Sequence, residues 1–158
     1  MSDLNSQLKK ANQCFKSCKY SEAIDKFSTL ITEILARKDG KSDGNDDDKG
    51  ECEEKEQEST ILFDVFCNRS ACYSLMFEYE LAAIDAMKCL ELSPQSVKAY
   101  ARLATAYAGQ GDYNNAISEC NKGLGLNSND MTLKSIKRDA LKQLGMHSSP
   151  STASLVSI

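Results

Sequence analysis

The stretch Ala99-Tyr100-Ala101-Arg102-Leu103-Ala104-Thr105-Ala106-Tyr107-Ala108-Gly109-Gln110-Gly111-Asp112-Tyr113-Asn114-Asn115-Ala116 decides the fold. Its large side chains, Tyr100, Leu103 and Tyr107, recur at three- and four-residue intervals, which is the spacing of one helix face. Small residues separate them, so a second helix can approach closely. Gly109-Gln110-Gly111 stops the pattern, and a new helical pattern starts at Tyr113. Two short antiparallel helices with a glycine-containing turn are therefore predicted here.

The same unit recurs along the chain. Tyr113-x-x-Ala116 repeats Tyr79-x-x-Ala82, 34 residues earlier, and Pro94 and Ser128 each lie twelve residues after the alanine. Tyr20-x-x-Ala23 is a further copy, displaced by one period and an insertion of 25 residues. Helical spacing then runs through Leu4–Ser17, Ser21–Ala36, Thr60–Met76, Tyr79–Leu92, Val97–Ala108, Tyr113–Leu126 and Met131–Leu144. Ser93-Pro94 ends the fourth of these, since proline cannot continue a helix.

Composition narrows the class. Apolar residues make up 41% and charged residues 27%, the balance of a soluble globular chain, in 158 residues that can form one ordinary core. No run is long and apolar enough for a membrane span, and Met1-Ser2-Asp3-Leu4-Asn5 has no secretory pattern, so a cytoplasmic protein is expected. The net charge of −4 divides unevenly. Residues 38–58 hold four lysines and ten acids, leaving the remainder at +2. That distribution argues against a nucleic-acid partner and for a mildly basic body able to take an acidic one.

Too few apolar groups in 38–58 offset ordering entropy, so a disordered acidic loop is expected there. Seven cysteines without a CxxC pair, and one histidine, His147, in a Ser-rich tail, give no metal-ligand spacing. Reduced structural thiols are expected, with no metal and no cofactor. No nucleophile–base set or phosphate-binding loop marks an enzyme.

A 34-residue period with two helices per copy is the tetratricopeptide signature. The expected organisation is all-α: an α-solenoid of three tetratricopeptide helix pairs with a C-terminal capping helix. Its parts are repeat 1 at 1–37, the acidic insertion at 38–58, repeat 2 at 59–96, repeat 3 at 97–130, the capping helix at 131–145 and a disordered tail at 146–158.

The first helix of each repeat lines a concave groove in such arrays. With Ala23, Ala82 and Ala116 in register, Asn12, Asn68, Lys98 and Arg102 fall on groove positions. Lys98 and Arg102 share a helix face at i, i+4. Phe66-Cys67-Asn68-Arg69-Ser70-Ala71 and Lys98-Ala99-Tyr100-x-Arg102 resemble the chaperone-binding tetratricopeptide domains of small glutamine-rich co-chaperones and Hsp70–Hsp90 organising proteins. The resemblance implies a carboxylate clamp in which amides, an ammonium and a guanidinium hold a peptide's C-terminus. It also implies a ligand: the acidic C-terminal tail of Hsp70 or Hsp90. The family's remaining clamp position is a lysine, and Leu8 stands there. Lys9 lies one residue away, about 100° around the helix, and Phe15 is expected to hold an aliphatic ligand side chain. The competing reading is a repeat scaffold that binds an internal segment of an unrelated partner.

Overall fold

The computed structural model describes residues 2–39 and 49–145, and these form seven α-helices with no strand among the described residues. They are α1 (Ser2–Lys16), α2 (Tyr20–Asp39), α3 (Lys49–Leu75), α4 (Tyr79–Leu92), α5 (Val97–Gly109), α6 (Tyr113–Leu126) and α7 (Met131–Gln143). Consecutive helices pack as pairs, and α7 covers the end of the stack against α5 and α6. This is the expected α-solenoid of three helix pairs and a cap.

Local chemistry sets the helix starts. Ser96 Oγ accepts from the Ala99 N–H at 3.2 Å, and Asp130 Oδ1 accepts from the Leu133 N–H at 2.8 Å. Asp112 Oδ1 does the same for Asn115 at 3.1 Å. Each satisfies a backbone donor that the first helical turn leaves unpaired.

The expected disordered loop over 38–58 is corrected at both edges. Residues 38–39 complete α2, and α3 starts at Lys49, about ten residues earlier than hydrophobic spacing indicates. Residues 49–58 lack an apolar face, but Glu, Lys and Gln are strong helix formers, and acids are favoured near a helix N-terminus. Residues 40–48, and the tail from residue 146, lie outside the described residues.

Contacts between helices give the stack its two layers. Helix α1 touches α3, α3 touches α5 and α5 touches α7, whereas α2, α4 and α6 do not pack on one another among the described residues. Odd-numbered helices thus form a tight inner layer and even-numbered helices a splayed outer one. An apolar seam runs between them. Phe27, Leu30, Ile34 and Val65 are fully buried at one end, Ala82, Ala86 and Ala106 in the middle, and Cys120 and Leu133 at the other.

One polar device crosses the seam. Arg69 on α3 donates from Nε and Nη2 to both Asp85 oxygens on α4, each at 2.8 Å, and from Nη1 to Ser28 Oγ on α2 at 2.8 Å. Its guanidinium lies 5.7 Å from the centroids of both Phe66 and Tyr73. Asp85 is only 2% exposed, and burial pushes its carboxyl upward while the Arg69 hydrogen bonds pull it back. Beside it, buried Ser70 Oγ donates to the Ala82 carbonyl at 2.8 Å.

The turns α1–α2, α3–α4 and α5–α6, one within each helix pair, share a left-handed residue two positions before the tyrosine: Cys18 (φ 59°), Phe77 (φ 64°) and Gly111 (φ 79°). Only the third is the residue that adopts this conformation without cost. Phe77 is 76% exposed, so it offsets its backbone strain with little burial. Phe77→Gly is therefore expected to stabilise the fold by about 1 kcal/mol, read as a raised urea midpoint with unchanged m-value. Arg69→Ala, which strands a buried carboxylate, is expected to cost about 3–5 kcal/mol in the same measurement.

Candidate peptide-binding groove

The inner layer carries the residues that register analysis selects. Asn12 on α1 and Asn68 on α3 meet directly: Asn68 Nδ2 donates to Asn12 Oδ1 at 2.9 Å. This contact joins the first two repeats and uses the Asn12 oxygen, so its amide N–H groups remain donors for a further acceptor.

Helix α5 brings Lys98 and Arg102 against the same helix. Both charges act on the Cys67 thiol next to Asn68, and Arg102 also acts on Cys72. Arg102 is half-buried, and its Nε is a buried polar atom without a hydrogen-bond partner. A guanidinium N–H withdrawn from water and left unpaired is costly. Lys98 is exposed. Its Nζ lies 3.6 Å from Asp64 Oδ1 and 6.0 Å from the Phe63 ring. The lysine is therefore already turned toward a carboxylate of its own chain.

Lys9 is exposed on α1. Phe15 is drawn into the packing between α1 and α2, where its ring sits 6.0 Å from that of Tyr20 and rests on the first core cluster. Leu8, at the position where the resemblance implies lysine, lines a cavity of about 590 Å³ between α1 and α3. Asn5, Ile61, Asp64 and Glu56 share that cavity, the last supplied by the early start of α3. Asp64 is the groove residue that sequence reasoning did not select. Its signal was present, since it occupies a groove position one turn before Asn68.

Neighbouring inner-layer positions on α3 and α5 are closed by packing. Cys67 and Ala71 are buried, and a Cβ on Gly109 would run into the Tyr79 ring. Cys89 Sγ donates to the Phe63 carbonyl at 3.7 Å. The interaction between the Cys67 and Cys89 thiols holds Cys67 below its usual range against the effect of burial and pushes Cys89 up. Burial raises Cys72 and Cys120 to about 11 each. Among the described cysteines only Cys18 is exposed. Under native conditions a thiol reagent followed by peptide mapping is expected to label Cys18 fastest among these six cysteines. Cys67, Cys72, Cys89 and Cys120 should label only on unfolding.

The comparisons with known proteins agree with this architecture. Residues 63–96 and 97–130 match the tetratricopeptide repeat model, over the later part of α3 with α4 and over α5 with α6. A Triticum aestivum Hsp70-Hsp90 organizing protein is 38% identical over 78 residues, which is 49% of this chain and 13% of that relative. The chain thus spans a small part of the curated relative's length. Among solved structures, the first tetratricopeptide domain of Spaghetti (RPAP3) bound to the HSP90 peptide SRMEEVD superposes with a TM-score of 0.68 at 19% identity, covering 91% of this chain and 94% of that one. The second such domain of human RPAP3, in complex with the HSP70 peptide SGPTIEEVD, gives 0.65 at 21% identity, covering 85% and 92%.

Proposed function

We propose that the chain is an interaction adaptor of the co-chaperone kind, cytoplasmic and without enzymatic activity. It captures the acidic C-terminal tail of Hsp70 or Hsp90. Asn12, Asn68, Lys98 and Arg102 hold the tail's terminal carboxylate, with Lys9 and Phe15 as flanking contacts. The observation that carries this reading is the half-buried Arg102 guanidinium, without an ion pair among the described residues, on the layer where Asn12 and Asn68 meet. Its outward N–H groups suit a ligand carboxylate in two-point geometry. Support comes from the organising-protein relative over half of this chain, and from the two peptides named above, which both end in Glu-Glu-Val-Asp.

The amides contribute hydrogen bonds without adding charge, while Arg102 and Lys98 make charge-assisted ones. With about 1.5–3 kcal/mol for each charged contact before ordering costs, micromolar binding, about −8 kcal/mol, is the expected scale. Calorimetric titration of a nine-residue tail peptide and its C-terminally amidated twin tests the reading. Amidation, and separately Arg102→Ala, are each expected to weaken binding about tenfold or more. Equal binding of the two peptides would instead support a scaffold that grips an internal segment.

A further inference from the structure

We infer that Asp64 is a specificity-determining residue of the groove, and that it sets the site to read one carboxylate at the ligand's C-terminus instead of two. The inference rests on the clamp reading above and narrows it. A peptide ending in aspartate presents two carboxylates on its last residue, and full recognition of both needs cationic partners beyond Arg102. At the groove position of α1 that partner is absent: Leu8 stands there and lines the α1–α3 cavity with Ile61 as apolar surface, and Lys9, the next residue, projects about 100° away. On α5 the partner is present but engaged, because Lys98 Nζ lies 3.6 Å from Asp64 Oδ1.

Charge then favours the smaller load. Around Lys98 and Arg102 the carboxylate of Asp64 cancels one of two positive charges, and Glu56 adds a further negative group to the same cavity. A second ligand carboxylate must displace Asp64 from Lys98 and then sit beside it, like charge against like. A neutral last side chain avoids both costs and meets Leu8 and Ile61. The Lys98–Asp64 pair is about half exposed on both sides, so its competition is modest, worth up to about fivefold in affinity. The chemical class that fits is a free peptide C-terminus, with the last side chain's own carboxylate giving little advantage.

The test uses two tail peptides that differ only in the last residue, Asp or Asn, both with a free C-terminus. The wild-type chain is expected to prefer the Asp form by less than about threefold. Asp64→Asn, a conservative change at a half-exposed position, should widen that preference by a further three- to fivefold. Adding Lys98→Gln to Asp64→Asn should remove the gain. An unchanged Asp/Asn ratio in Asp64→Asn, or a wild-type preference above about tenfold, overturns the inference. Failure of the clamp reading itself shows elsewhere, as equal binding of acid and amide forms of either peptide. Circular dichroism melting curves matching the wild type assign the changes to the groove.

Discussion

Arg69 is the fixed point of the molecule. From one position on α3 its guanidinium forks onto Asp85 of α4, reaches Ser28 of α2 and lies between the rings of Phe66 and Tyr73. A buried ion pair is not by itself a source of net stability, because desolvation offsets the Coulomb gain. What it supplies is orientation, since a planar fork satisfied on both oxygens tolerates little rotation or slip. Asn68 precedes Arg69 and Ser70 follows it, so the phase of α3 that satisfies the buried network also aims Asn68 at Asn12 across the inner layer. The groove and the core are two faces of one rotational setting.

The fold was largely legible because its two signals reinforce each other. The 34-residue spacing of Tyr79 and Tyr113 with their alanines set the repeat, Tyr20 and Ala23 lying one period and a 25-residue insertion earlier, and the Ser93-Pro94 and Gly109–Gly111 breaks set the helix ends. The structure keeps α4 and α6 at the same residues that hydrophobic spacing gave. The extension of α3 back to Lys49 was not legible, because an apolar stripe was the criterion and that segment is helical through intrinsic propensity alone.

At the site, register put Asn12 and Asn68 on groove positions and Lys98 and Arg102 on one face of α5, without foreseeing the bond between the two amides. It did not find that Lys98 has an internal partner. Asp64 and Lys98 are 34 residues apart, and only the packing of α3 against α5 brings their side chains together. For Phe15, periodicity gives the side on which the residue leaves its own helix, while the Tyr20 ring that packs against it is visible only in the structure. Arg69 read as one link in a family-like stretch, yet its role is internal and depends on an aspartate sixteen residues ahead.

The two-layer stack also behaves as a bent beam. Odd-numbered helices touch along their whole series while even-numbered ones do not, so the stiff line of the beam runs through the inner layer. When such a body flexes, displacement grows with distance from its stiff line. Fluctuations in curvature therefore open and close the gaps between α2, α4 and α6, while spacings among α1, α3 and α5 change least. The amide and guanidinium groups lie on that quiet line. Thermal motion is spent on the convex side, and the concave side keeps its geometry.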